Sequence, residues 1–378
     1  MLYYRYRPVN ALTIKELIYD ELYFSYPDEL NDPLDGQIRY ELPEDYPKWK
    51  RLLDYAWKGS NIDTATIADI LTRVSPISIK KIIDSSDFLL SKIEQALDQK
   101  LKSLAPFLAQ SLQNYIAGYT PTDGCSVSFS KTYENALMWS HYTGKHEGFC
   151  LIFRSINGCI NQCPSRAKES VKPEDGVSIG IPRNFKLQDI QYGPKKNIDG
   201  FTLFPYGVFG RDFSQEERNS YWESINEMHL TKSPCWDYEE ESRLYLPSPG
   251  ACVSKERLLP IDRIFHYNNY QIAGVIYGMR MSEENKKLIR EILLRKSKER
   301  YLESQHDVFL FNIVSFDASF DDEKHTIAIE PVEIFDCGEA IGKSNPHFPN
   351  KFTSWEKGEA LHIRSTEKGR GASRVILD

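Results

Sequence analysis

The chain alternates from its first residues. Leu2, Tyr4 and Tyr6 face one way and Tyr3, Arg5 and Arg7 the other, which predicts a half-buried strand that Pro8 ends. A short helical segment over 13–19 leads to a second strand at 22–25. Residues 26–36 (Tyr-Pro-Asp-Glu-Leu-Asn-Asp-Pro-Leu-Asp-Gly) read as a turn-rich loop, because Asn, Asp and Pro favour turns over ladders. From about 45 to 117 the apolar positions take helical spacing, with Phe88, Leu89, Ile93, Leu97, Leu101 and Leu104 on one face. Pro106 should kink or split the last of these helices. We read this block as an all-helical insertion in a mixed fold.

The period of two returns at 125–130, where Cys125, Val127 and Phe129 form one face and Ser126, Ser128 and Ser130 the other. A short helix over 133–141 and a strand over 149–154 follow. Residues 155–212 are rich in Gly, Pro and Lys and read as irregular, apart from a strand at 187–192. Ser214 with Glu217 forms a capping box that opens a helix to about Leu230. The pattern is loop-like from Trp236 and becomes a strand by Ser242. Further strands are expected at 273–278, 308–314 and 326–335, with a charged helix capped by Ser282 and running to about Arg300. This order of elements predicts an α+β fold with a central, mostly antiparallel sheet containing 2–7, 125–130, 149–154 and 242–246. A single domain over 1–337 with the helical insertion, then a loose polar tail over 338–378, completes the expected organisation.

Composition narrows the function classes. Of 378 residues, 41% are hydrophobic and 27% charged, the balance of a soluble globular chain. The net charge of −7 excludes a global attraction for nucleic acid and leaves only local basic patches. No apolar run approaches a membrane span, and residues 1–8 lack the apolar core of a secretory signal. Seven scattered cysteines suggest reduced thiols and a cytoplasmic setting. Cys159 and Cys163 have no second pair at zinc-ligand spacing, and no Walker A, GxGxxG, GxSxG or HExxH motif occurs.

Three polar strand faces could carry chemistry. Arg5 and Arg7 suit bidentate binding of phosphate, although sheet-surface arginines more often meet water. The three serines either face solvent or line a polar cleft, and Asn135, Met138, Trp139, His141 and Tyr142 follow on a helix returning towards them. His141 is a candidate general acid or base, against the commoner role of a structural histidine. Glu239, Glu241 and Arg243 share a strand face with roughly 6–7 Å between alternate residues. They form either a surface ion network or a preorganised acceptor pair for sugar hydroxyls or a developing cation.

These residues resemble the bacterial domain of unknown function 2971 family. The resemblance rests on Leu2-x-x-Arg5-Tyr6-Arg7, Tyr23-Phe24-Ser25 with Asn31-Asp32-Pro33-x-Asp35, and Ser128-Phe129-Ser130. It continues in Leu137 to Tyr142, His146-x-Gly148-Phe149, Lys232, Trp236-x-Tyr238-Glu239-x-Glu241-x-Arg243 and Ile276-Tyr277-Gly278. Lys131 departs from it, where an acidic residue is expected. The resemblance implies an association with phage-defence loci.

A more distant resemblance is to ADP-ribosyltransferases of the arginine-serine-glutamate type, through Arg5, Ser128-Phe129-Ser130 and Glu239-x-Glu241 in that order. The Trp-His-Tyr helix after the serine strand is foreign to that pattern. The resemblance implies an ADP-ribosyltransferase-like fold and NAD as substrate. Cleavage of the nicotinamide–ribose bond would build a cation on the ribose. Glu241 would hold the ribose hydroxyl and be the main catalytic carboxylate, and Glu239 would handle the acceptor. Arg5 and Arg7 would anchor pyrophosphate, Ser128 and Ser130 would position the ribose, and Tyr6 or Trp139 would stack nicotinamide. Tyr142, Asn31, Asp32 and Arg243 would line or support the rim. The implied protein is an effector or toxin of a bacterial anti-phage system, with a protein or nucleic-acid acceptor and a partner protein from the same locus. Two rivals stay open. One is a metal-dependent nuclease or hydrolase with Asp32, Asp35, Glu239 and Glu241 as ligands and His141 as base. The other is a non-catalytic sensor or antitoxin-like binding protein.

Overall fold

A computed structural model describes residues 1–174, 178–209, 214–247, 256–302, 308–366 and 369–376. Residues 175–177 and 210–212, within the stretch expected to be irregular, lie outside the described residues, as do 367–368 and 377–378 of the expected tail.

The architecture is α+β. Nine strands form one sheet: β1 (Leu2–Arg7), β2 (Cys125–Ser130), β3 (Phe149–Arg154), β4 (Gln188–Asp189), β5 (Glu241–Leu246), β6 (Ile272–Tyr277), β7 (Ile313–Asp321), β8 (Thr326–Asp336) and β9 (Glu339–Gly342). Their order across the sheet is β4-β5-β2-β1-β3-β6-β7-β8-β9. Every neighbouring pair is antiparallel except β6 and β7. The four segments expected to share a sheet therefore do so.

Helices cover both faces. Leu17 of α1 (Ala11–Tyr19) and Ile289, Ile292 and Leu293 of α3 (Glu283–Leu302) join Tyr3, Val127, Phe129 and Phe153 in one core. On the other face, Met138 and Trp139 of α2 (Ala136–Tyr142) and Phe348 and Trp355 of α4 (Phe348–Glu356) pack on Tyr4, Tyr6 and Ile152. Strand β1 is consequently buried on both sides, not half-buried. Its tyrosines supply the apolar area that its arginines lack.

The helical block (Tyr46–Ala56, Thr64–Arg73, Ile79–Asp84, Ser86–Ala96, Ala105–Tyr119) has its own core around Trp49, Leu71, Leu89, Ile93 and Leu112. Pro106 opens its last helix instead of kinking one, since the first turn lacks intrahelical N–H partners anyway. Ser214 and Glu217 form the expected capping box.

Three expectations change. The segment 187–192 divides: Gln188–Asp189 joins the main sheet, whereas Gln191–Tyr192 pairs in parallel with Thr231–Lys232. The segment 308–314 also divides between two sheets. Residues after 338 are not a loose tail. They form β9, α4 and the strands Glu359–Thr366 and Gly369–Ile376. Trp355 pins them, donating its indole N–H to Ala273 O at 2.8 Å and accepting at its carbonyl from Arg154 at 2.8 Å. A few well-spaced apolar residues in a polar stretch sufficed.

Candidate functional site

Strands β1 and β2 share one register pair, Tyr4 with Ser130, and then splay apart. At the other end of that edge of β2, Ser25 exchanges both backbone hydrogen bonds with Ser126 at 2.9 Å. Between the two contacts the Ser128 carbonyl accepts from Arg5 Nη1 at 3.4 Å. A cleft of about 260 Å³ opens at this splay. Ser126, Ser128 and Ser130 line it, so the serine face meets a cleft.

Local sequence sets the acidic wall. Pro234 starts a 3₁₀ turn through Glu239, and Glu240, at φ 43° in the left-handed region, ends it. That reversal places Glu239 on the turn and Glu241 at the start of β5. Glu239 is therefore not on the strand face it was expected to share. It is ordered all the same, being buried with its Oε1 accepting from Tyr142 Oη at 2.6 Å.

Five buried charged side chains meet here. Lys232 Nζ lies 2.5 Å from Glu239 Oε2, 3.0 Å from Glu241 Oε2 and 3.5 Å from Asp35 Oδ2. Arg243 donates from Nε to Glu241 Oε1 at 2.5 Å and from Nη2 to Glu241 Oε2 at 2.9 Å. The same guanidinium holds Asp35, with Nη1 to Oδ1 at 2.9 Å and Nη2 to Oδ2. Tyr192 Oη accepts the Glu241 N–H at 2.8 Å, which fixes the start of β5.

The two glutamates differ in proton affinity. Burial alone would raise both. Arg243 and then Lys232 overcome it at Glu241 and bring its carboxyl down to about 2, with Ser128 adding a hydrogen bond. At Glu239 burial prevails over Lys232 and Tyr142, and the carboxyl is raised. Burial likewise raises the Tyr142 phenol.

The other expected residues divide. Arg5 and Arg7 line the cleft but project to the opposite face of the sheet from Glu241, where both pair with Glu16 of α1. The reason is register: Tyr4, opposite Ser130 and hence beside Glu241, owns that face. Arg7 Nε is buried and without a partner. Asn31 and Asp32 form the rim, Asn31 reaching Tyr142 and Asp32 accepting from Leu34 N at 2.8 Å. Arg243 stands behind Glu241, out of the cleft.

Trp139 cannot stack a ligand. It is fully buried, packs edge-on to Tyr6 at 5.3 Å and donates to Tyr133 O. His141 is exposed and lies outside the cleft lining. The sequence named Lys232 and Trp236 only as part of the family resemblance and gave them no role, and it missed Asp35 as partner of Arg243; the Trp236 ring lies 5.2 Å from Lys232 Nζ. One signal was available: Glu239 and Glu241 with one nearby arginine need a further cation if both are buried.

The acids do not present a metal site. Lys232 occupies the centre that a cation would take, and among the described residues no group of three or more His, Cys, Asp or Glu side chains could hold a metal. Among those residues, too, no helix is long and apolar enough to cross a membrane.

Residues 138–244 match the model of a family described as Protein of unknown function (DUF2971). No curated protein and no solved structure matches the chain. The DUF2971 segment supplies Tyr142, Lys232, Trp236, Glu239 and Glu241, whereas Arg5, the serines and Asp35 come from outside it. Glu239 and Glu241 of the acidic wall thus lie within the matched segment, and Asp35 and the serine wall lie outside it.

Proposed function

We propose that the cleft cleaves the N-glycosidic bond of NAD and passes ADP-ribose to water or an acceptor, as an ADP-ribosyltransferase-like enzyme. One observation carries this reading: the guanidinium strand, the serine strand and the two buried glutamates open on one cleft. Its volume is at the low edge of ligand sites, so it suits the nicotinamide riboside half, with the remainder leaving through the mouth. Three carboxylates against two cations leave one net negative charge where the ribose would turn cationic.

A carboxylate offers about four acceptor sites. Glu241 spends its sites on Arg243, Lys232 and Ser128, while Glu239 spends two, on Tyr142 and Lys232. This reverses the order expected from the sequence. Glu239 is the carboxylate free to meet the substrate, and Glu241 fixes the field around it. As the C1′–N bond breaks, its electron pair goes to the nicotinamide nitrogen. The acceptor atom bonds C1′, and its proton passes to Glu239. Depletion of NAD, or modification of a protein or nucleic acid, is the route by which such an enzyme serves as a toxin or effector in bacterial defence.

Nicotinamide release from purified protein and NAD tests the proposal. Glu239→Gln should lower it on the order of 10²–10⁴-fold, the usual weight of a general base. No release by the unaltered protein at millimolar NAD would overturn the reading.

A further inference from the structure

A second cavity, of about 440 Å³, lies in the C-terminal half of the chain. It shares no lining residue with the cleft and lies wholly outside the 138–244 match. Its walls are the end of α3, Phe311 and Asn312, the β8–β9 turn, α4, and Glu359–Leu361 and Arg374 of the strands Glu359–Thr366 and Gly369–Ile376.

The charge balance of this cavity is incomplete. Arg300 is buried, and four of its N–H groups go to neutral oxygens: Nε to Asn269 Oδ1 (3.1 Å), Nη1 to Phe311 O (3.0 Å), and Nη2 to Asn269 O and to Ile272 O (2.7 Å). No described carboxylate lies within ion-pair distance of it, and Asp20, which is paired with Lys296, acts on it only from farther away. A guanidinium has five N–H donors, so one remains. Burial brings Arg300 down to about 10, which keeps it cationic at neutral pH. Asp336 and Lys351 neutralise each other. Arg374 adds a second guanidinium on the cavity wall with no bond to a described residue, and the side chains of Asn312, His347 and Asn350 are equally unengaged. Of the two acids on the cavity wall, Asp336 is taken by Lys351 and Glu359 accepts from Ser354 at 2.6 Å. A buried charge with no counter-charge in direct contact is costly, and an oxyanion would offset that cost.

We infer that this cavity is a second ligand site, taking an organic phosphomonoester of about mononucleotide size whose phosphate meets Arg300 and Arg374. Three terminal oxygens suit two guanidinium groups and neighbouring amides better than the two of a carboxylate. Phe311, Phe335 and Leu361 give the remainder an apolar wall, and the volume is that of an ordinary small-molecule site. The inference does not depend on the NAD reading of the cleft.

Calorimetry on the full chain with AMP and with inorganic phosphate tests it. AMP should bind, and Arg374→Ala should weaken it roughly tenfold, the weight of one charge-assisted hydrogen bond, with partial recovery in Arg374→Lys. Glu239→Gln in the cleft should leave AMP affinity unchanged. Absence of AMP binding at millimolar concentration would overturn the inference. So would phosphate binding as tightly as AMP, or an AMP affinity that falls in Glu239→Gln but not in Arg374→Ala.

Discussion

Asp35 and Arg243 lie 208 positions apart in sequence and meet as a bidentate, fully buried ion pair. The pair ties the loop at the rim of the cleft to the strand that carries Glu241. Arg243 is thereby committed to two carboxylates, and its role is to hold the site, not to meet a ligand.

Removing that guanidinium leaves two buried carboxylates short of a cation. Arg243→Met should therefore cost about 3–5 kcal/mol of stability, the usual penalty for orphaning a buried charge. The shift in the urea midpoint measures it. A loss under 1 kcal/mol would mean that the pair is open to water.

Acid stability should follow Glu241. Its folded carboxyl is depressed from 4.5 to about 2, so it contributes stability above pH 4.5 and loses it as pH falls towards 2. The full effect is at most about 3 kcal/mol. Urea midpoints between pH 2 and 7 should fall over that window in the unaltered protein and stay flatter in Glu241→Gln. Glu239 has the opposite sign. Its raised carboxyl favours the folded state at low pH, and that contribution is lost as pH rises through its folded value.

Tyr142→Phe isolates the tuning of Glu239. The phenol hydrogen bond lowers the Glu239 carboxyl, so its loss should raise that carboxyl further. The acidic limb of the pH–rate profile for nicotinamide release should then move to higher pH. A limb that stays in place would assign the titration to another group.

Trp139→Ala and His141→Ala separate packing from chemistry on one helix. The fully buried indole should cost about 3–5 kcal/mol, and the exposed imidazole no more than about 0.5 kcal/mol. Thermal unfolding of both variants gives the comparison. A loss of NAD turnover in a stable His141→Ala protein would return that histidine to the site.

A β-carbon at Gly148 would lie 2.2 Å from Arg7 O and 2.7 Å from Thr143 O, both backbone atoms. Gly148→Ala should force β1 and β3 apart at the guanidinium end of the cleft and cost about 1–3 kcal/mol or more. Circular dichroism with denaturant titration measures this.

The sequence by itself determined the elements whose periodicity is strict. The serine strand, the Tyr-Arg strand and the amphipathic helices could be read because each must bury one face, and that requirement is written into neighbouring residues. It also brought Glu239, Glu241 and the serines to notice as polar groups backed by apolar ones. Only the tertiary structure decided which face of β1 meets the glutamates, because register between strands more than 100 positions apart is set by the packing of Tyr4, Tyr6 and Trp139. It alone placed Lys232 among three acids and Asp35 against Arg243, since pairing of buried charges depends on distances in space that no local pattern encodes. It also gave order to the C-terminal stretch, where Trp355 and a few apolar neighbours find their surface only after the main sheet has formed.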